Sequence, residues 1–270
     1  MTRRVSVSSW RLLSLSYDSP FMNLALEEAL ARRTCPEGSQ YLPTVRFWRN
    51  SKSVVIGRFQ EAACEVDLAG CNLSQVQMVR RFTGGGTVFH DEGTLNLTVV
   101  TKPANNPSIL RFQEQNLRVV LEALGNLGLD CSLSAPNSIF AHGKKLCGAA
   151  AALGKTFAFW HCSIMVTTDT HLLERVLGPS KARSLTRFVH SKWAPVTTIA
   201  NALSKPISID EVTRTLITAI QNQFRVELEA APLSVEEEVC SKALMAQKYS
   251  SNEWNLYGNR QVRYGRKSVE

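Results

Sequence analysis

Arg80-Arg81-Phe82-Thr83-Gly84-Gly85-Gly86-Thr87-Val88-Phe89-His90-Asp91 sets three successive glycines between two short apolar runs. Lacking Cβ atoms, Gly84, Gly85 and Gly86 let the chain bend sharply and present its N–H groups. Residues 78–82 before the bend and 87–90 after it have strand composition. Arg80 and Arg81 precede the bend, and a bare-backbone loop beside fixed positive charge suits an anion such as a phosphate. The same residues also read as a tight hairpin with solvated arginines, and the choice falls to a second segment further along the chain.

Outward from the loop, the chain alternates helices with clusters of strands. Residues 10–15 form a first strand, and Ser19 caps a helix whose first position is Pro20 and which runs through Arg33 to a stop at Cys35-Pro36-Glu37-Gly38. Residues 44–49 and 53–57 read as a hairpin around Asn50-Ser51-Lys52. Residues 94–101 alternate, with Leu95, Leu97 and Val99 facing one way and Asn96 and Thr98 the other. Ser108 caps a long helix ended by Gly125 or Gly128. Strand-like pieces follow at 138–141, 145–147, 156–160 and 163–166, then a short helix over 171–177 stopped by Gly178-Pro179. Capping boxes Ser208-x-x-Glu211 and Ser234-x-x-Glu237 open two later helices. The pattern is α+β, with mixed, mostly antiparallel sheets flanked by helices.

At 270 residues, 44% hydrophobic and 20% charged, the chain is an ordinary globular sequence able to bury a full core. A formal net charge of +8 favours acidic partners, but no long Lys/Arg block or basic–aromatic interleaving points to nucleic acid. Seven scattered cysteines without a CxxC pair argue for reduced thiols in a cytoplasmic protein, with neither a disulfide framework nor a metal site. No apolar run approaches the ~18 residues a bilayer crossing requires, so no membrane partner is expected. The domain reading is a short basic tail over 1–9, one domain over 10–258 and a basic tail over 259–270.

His142-Gly143-Lys144-Lys145-Leu146-Cys147-Gly148-Ala149-Ala150 places two lysines beside a glycine at a strand start. Side chains alternate across a sheet, so one lysine points inward and the other is solvated. An inward lysine aimed at an arginine-flanked glycine loop completes the counter-charge for a phosphate or carboxylate.

These segments resemble the lipoate–protein ligase A family of the biotin/lipoate ligase superfamily. The resemblance rests on Arg80-Arg81-x-Thr83-Gly84-Gly85-Gly86-Thr87-Val88-x-His90-Asp91 followed by Gly143-Lys144-Lys145-Leu146-x-Gly148-x-Ala150. Supporting pieces are Ser16-Tyr17-Asp18, Asn23-Leu24-Ala25, Glu27-Glu28, Phe47-Trp48-Arg49-Asn50, Val54-Val55-Ile56-Gly57-Arg58, Gln60, Trp160-His161, Tyr249 and Glu253-Trp254-Asn255. It implies a biotin/lipoate ligase-like catalytic domain that activates lipoic acid with ATP and Mg²⁺ and passes the acyl group to a lysine of a lipoyl-acceptor domain protein. It makes Lys145 catalytic, binding carboxylate or α-phosphate oxygens. Arg81, Thr83, Gly84, Gly85, Gly86, Thr87, Val88, Phe89, His90, Asp91, Gly148 and His161 become the substrate- and ATP-binding set. Val88 and Phe89 are expected to bury the acyl tail, at ~0.8 kcal/mol per CH₂.

His90 and Asp91 either close the loop or act in acid–base chemistry, and His161 is either a core residue or a contact to adenylate. Arg49 and Arg58 add positive potential or pair with Glu27 and Glu28. Two-domain relatives continue past the Trp254-Asn255 segment, so a separate small accessory subunit is an expected partner. The alternative within the superfamily is an ATP-independent octanoyl or lipoyl transferase, using preformed lipoyl-AMP or a thiolate of Cys131 or Cys147.

Overall fold

A computed structural model describes residues 8–33, 42–134, 136–177 and 189–258. Its first elements are β1 (Ser8–Ser14), α1 (Pro20–Arg33), β2 (Thr44–Trp48), β3 (Ser53–Ile56), α2 (Ala62–Glu65), α3 (Leu68–Leu73), β4 (Gln77–Arg80), β5 (Val88–His90) and β6 (Thr94–Thr101). Then come α4 (Ile109–Asn126), β7 (Cys131–Ser134), β8 (Ser138–Ala141), β9 (Lys144–Leu153), β10 (Ala158–Met165) and α5 (Thr170–Val176). The chain continues through α6 (Ile199–Leu203), α7 (Ile209–Phe224), β11 (Val226–Ala230) and α8 (Val235–Leu244), and two π-helical turns at Met245–Tyr249 and Glu253–Tyr257 follow.

Eight strands form one sheet in the order β11-β1-β2-β6-β10-β9-β8-β7, parallel at β11-β1-β2 and antiparallel thereafter. Three more form a small sheet, β4-β3-β5. This is the mixed, mostly antiparallel α+β arrangement the sequence implies. Leu95, Leu97 and Val99 of β6 face a core that also holds Leu117, Val120 and Leu124 of α4 and Leu216 and Ile220 of α7. Helix α1 fills the opposite side, where Leu24 and Ala25 meet Trp48 of the large sheet and Val55 and Val79 of the small one. Val54, Ile56 and Phe89 turn away from α1 into a cluster with Val66, Cys71 and Leu172.

Caps form where the sequence places them. Ser19 Oγ accepts from Met22 N at 3.3 Å, and Ser208 Oγ from Glu211 N at 3.1 Å. The reciprocal box is complete at Ser234, with Glu237 Oε2 accepting from Ser234 N at 2.9 Å. Glu237 also takes Arg11 of β1 at 2.5 and 2.7 Å, tying α8 to the sheet.

Several local expectations change. β2 and β3 are not a hairpin: they belong to different sheets, because β2 is claimed by β1 and β6. The glycine loop is not a hairpin turn either, since β3 lies between β4 and β5. The pieces at 156–160 and 163–166 are one strand, β10, paired throughout with β6. Residues 8–9, expected in a tail, pair with β11 in β1. The helix stops at 35–38 and 178–179, residues 1–7 and residues 259–270 lie outside the described residues.

Candidate active site

Strand register carries two rows of side chains across the large sheet, on the face opposite the α4–α7 core. One row is Arg46, Thr98, His161 and Ala150, and the other is Trp48, Asn96, Ser163 and Gly148. Above them the small sheet brings Val55, Val88 and His90, and the space between is a cavity of about 520 Å³. The glycine loop and residues 189–194 close one side of it.

Lys145 reaches this cavity because of a β-bulge. Ile139 pairs with Cys147 and Phe140 with Lys145, so two steps on β9 oppose one on β8. Lys145 thereby shares the face of Ser138, Phe140 and Gly148, while Cys147 stays in the core under α4. A Cβ on Gly148 would lie 3.2 Å from Lys145 Nζ, so the side chain runs directly across that glycine. Among the described residues the ammonium has no hydrogen-bond or ion-pair partner. Burial holds its pKa below the ordinary lysine value, with Cys147 opposing the shift and Arg81 adding to it. An unpaired, desolvated cation in a cavity is an anion site.

The glycine loop is shaped from beneath by Arg81. Its Nη2 donates to Gly84 O at 2.6 Å and Gly86 O at 2.7 Å, its Nη1 to Val55 O at 3.0 Å, and its Nε to Thr83 Oγ1 at 3.1 Å. With the carbonyls drawn down onto the guanidinium, the Gly85 and Gly86 amides donate no hydrogen bond among the described residues. Gly85 adopts φ +88°, and a Cβ on Gly57 would sit 2.1 Å from Gly85 O, so both positions demand glycine. Burial and the neighbouring Arg80 bring the Arg81 pKa down to about 10, and it remains charged at neutral pH.

The lipoyl protein ligase A/B catalytic domain model matches residues 19–221 of this chain. The chain belongs to that family. It is 33% identical over 247 residues to lipoate-protein ligase A subunit 1 of Thermoplasma acidophilum, covering 87% of this chain and 91% of that protein. A solved bipartite lipoate protein ligase studied with its E2 lipoyl domain, from the same organism, superposes with TM-score 0.81 at 32% identity, over 92% of this chain and 96% of that one. A Thermoplasma acidophilum structure with bound lipoic acid gives TM-score 0.79 over 92% and 99% of the two chains. A lipoate-protein ligase A bound with ATP gives 0.80 over 92% and 98%, each of these again at 32% identity.

Within this lipoyl ligase fold, Arg81, Gly85, Gly86, Thr87, Val88, His90, Lys145, Gly148 and His161 line the cavity. Thr83, Gly84, Phe89 and Asp91 do not. Phe89 points into the cluster behind the small sheet, because alternation along β5 sends Val88 and His90 inward and Phe89 out. It therefore does not line the cavity, whose apolar lining includes Leu24, Trp48, Val55 and Val88. Asp91 is an internal brace, accepting from Gly93 N at 3.0 Å, Thr94 Oγ1 at 3.0 Å and Asp169 N at 2.8 Å.

His161 ties the loop to α1. Thr83 Oγ1 lies 2.8 Å from His161 Nε2, and His161 Nδ1 lies 3.3 Å from Glu27 Oε2. Burial lowers the His161 pKa, with Glu27 opposing, which fits a neutral ring donating from Nδ1 and accepting from Thr83. Neither nitrogen is then available for acid–base work. Burial alone would raise the Glu27 pKa, but His161, Arg46 at 2.8 Å and Thr98 at 2.7 Å hold it low. Glu28 is met by Lys248 at 2.7 Å, Tyr249 at 2.6 Å and Arg32. Arg49 and Arg58 thus pair with neither glutamate: Arg49 reaches Glu92 O and Arg58 lies over the Phe59 ring.

Ser191 and Glu65 carried no signal in the sequence, whereas the Glu253-Trp254-Asn255 motif is part of the resemblance. Ser191 Oγ accepts from Thr87 N at 2.8 Å and Gln60 Nε2 at 3.0 Å, laying residues 189–194 over the glycine loop. Glu65 holds that segment from the other side through His190 at 3.1 Å and the Ser191 amide. The Glu253-Trp254-Asn255 motif grips β4: Asn255 Oδ1 accepts from Arg80 N at 3.0 Å, and Trp254 Nε1 donates to Arg80 O at 2.8 Å.

Cys131 and Cys147 are both poorly placed as nucleophiles. Cys147 is wholly buried in the core, and burial with Asp130 pushes the Cys131 thiol up to about 11.

Proposed function

We propose that this chain is a lipoate–protein ligase whose catalytic domain, residues 10–258, converts lipoate and ATP to lipoyl-AMP and transfers the lipoyl group to a lysine of an acceptor domain. The observation that carries the proposal is that the unpaired Lys145 ammonium over Gly148 lines one cavity with Gly85 and Gly86, whose amides donate no hydrogen bond among the described residues. Joining a carboxylate to a triphosphate requires suppression of their mutual repulsion, which a fixed cation and those amides supply. A lipoate carboxylate oxygen attacks the α-phosphorus and the bond to pyrophosphate breaks. The amine of the acceptor lysine then attacks the acyl carbon, and AMP leaves. Lys145 contacts the carboxylate or α-phosphate oxygens throughout. Arg81 acts through the loop, since its guanidinium is occupied by loop carbonyls and Val55 O.

The substrate form of the nucleotide is Mg-ATP. Among the described residues no group of three His, Cys, Asp or Glu side chains converges on a metal position. The subunit designation of the Thermoplasma relative and the bipartite structure support a separate accessory subunit for this chain as well. No helix among the described residues is long and apolar enough to cross a membrane, which is compatible with a cytoplasmic setting.

The test is incubation of the chain with lipoate, Mg-ATP and a lipoyl-acceptor domain, followed by mass spectrometry of the acceptor, alongside ATP–pyrophosphate exchange. Acceptor mass increased by one lipoyl group is expected. Exchange that is weak alone and rises when a small accessory subunit is added supports the partner; robust exchange by the chain alone removes it. No lipoate-dependent product with or without that subunit would refute the ligase reading.

A further inference from the structure

A hydrogen-bond chain runs from α1 to the floor of the cavity, and its direction can be assigned from its anchored end. Asn23 Oδ1 accepts from Tyr17 N at 2.9 Å and Arg46 Nη2 at 2.8 Å, groups that only donate. Asn23 Nδ2 is therefore the donor to Asn50 Oδ1, at 2.9 Å. Asn50 Nδ2 then faces His90 Nδ1 at 3.0 Å, which makes Nδ1 an acceptor. His90 carries its hydrogen on Nε2 and donates to Ser163 Oγ at 2.7 Å. Ser163 in turn donates its hydroxyl hydrogen to Asn96 Oδ1 at 2.8 Å. Burial keeps the His90 ring neutral, its pKa brought down to about 3, in agreement with this tautomer.

Each orientation fixes the next, and the last amide has nowhere to donate. Asn96 Nδ2 has no partner although the residue is only 1% exposed. Buried polar atoms are almost always met, and of the unmet ones among the described residues Asn96 Nδ2 is the one whose residue lines the cavity. Asn96 stands on the cavity face beside its register partner Trp48, two strands away from Gly148 and the Lys145 ammonium. Leu24, Val55 and Val88 complete the surroundings of Trp48. The cationic end of the cavity takes a carboxylate, and the end holding Asn96 takes the tail.

Resting on the ligase reading, we infer that Asn96 is a specificity-determining residue: its Nδ2 donates to a hydrogen-bond acceptor on the distal half of the acyl substrate, favouring a sulfur-bearing tail over an all-hydrocarbon one. Against a plain alkyl tail the amide stays desolvated and unmet. Dithiolane sulfur is a weak acceptor that relieves part of that penalty. Sites built around a buried donor reject analogues lacking the acceptor, whereas purely apolar pockets discriminate little.

The experiment measures kcat/KM for lipoate, octanoate and an octanoate bearing a keto oxygen at carbon 6, where lipoate carries its first sulfur. It uses the chain with its accessory subunit if one is required, as wild type and as Asn96→Leu. Wild type is expected to favour lipoate and the keto acid over octanoate by about five- to twentyfold. Asn96→Leu is expected to shrink both ratios to within about twofold while octanoate turnover is retained. A wild type that uses the keto acid less well than octanoate overturns the inference, and so do ratios unchanged in the variant. If Asn96→Leu does not fold, the wild-type series decides alone. Failure to attach any of the three acids would instead sink the ligase reading itself, a separate outcome.

Discussion

Lys145 and Gly57 show how single residues define the site. The Lys145 ammonium is half-buried without a counter-ion among the described residues, and in the proposed reaction an anionic substrate supplies one. Lys145→Ala is expected to lower the rate of adenylate formation by roughly 10²–10³, with the melting temperature unchanged or raised. Lys145→Arg is not expected to restore it, because a planar fork does not replace a compact ammonium above Gly148. Single-turnover formation of lipoyl-AMP measures both. At Gly57 a Cβ would meet Gly85 O at 2.1 Å, a backbone atom held in turn by its neighbours. Gly57→Ala is therefore expected to displace the glycine loop and weaken nucleotide binding at least tenfold, read by calorimetric titration, while far-ultraviolet circular dichroism stays the same.

At the level of elements, β5 is fastened to β10 through His90, which works only as a neutral ring. Its pKa falls from the ordinary 6.5 to about 3 because burial disfavours the charged form. Between those values the unfolded chain binds the proton and the folded one does not. Stability is thus fully present above pH 6.5 and is lost as pH falls towards 3. The contribution lost by pH 5 is about 2 kcal/mol, from 1.4 kcal/mol per pH unit. Urea unfolding at pH 7 and pH 5 checks this, and His90→Gln is expected to be less stable at pH 7 but flatter across the same interval. An unchanged slope in that variant would assign the acid sensitivity elsewhere.

For the whole molecule, the net charge of +8 favours docking of an acidic acceptor domain. Docking steered by that charge predicts an acceptor KM that rises several-fold between about 50 and 200 mM salt, as the screening length shortens to below ~10 Å. The KM for lipoate, bound inside the cavity, is expected to stay within about twofold over the same range. Steady-state kinetics at several salt concentrations separates the two, and equal responses would count against charge-steered docking.

What the sequence by itself determined is the local chemistry: the strand over Thr94–Thr101 with its two faces, the caps at Ser19, Ser108, Ser208 and Ser234, and the pairing of a glycine loop with a distant lysine. The strand faces and the caps follow from side-chain period and backbone freedom, which neighbours along the chain settle, and the loop–lysine pairing follows from the charge both offer an anion. Which sheet each strand joins, and which way Lys145 faces, were decided only in three dimensions. β2 and β3 part company because β6 and β1 compete for β2, and a bulge opposite Phe140 turns Lys145 to the cavity while leaving Cys147 in the core. Ser191, Glu65 and the Asn23-to-Asn96 hydrogen-bond chain are equally invisible in one dimension. Partners so far apart in the chain meet only when buried polar groups must find one another, a demand imposed by burial rather than by spacing.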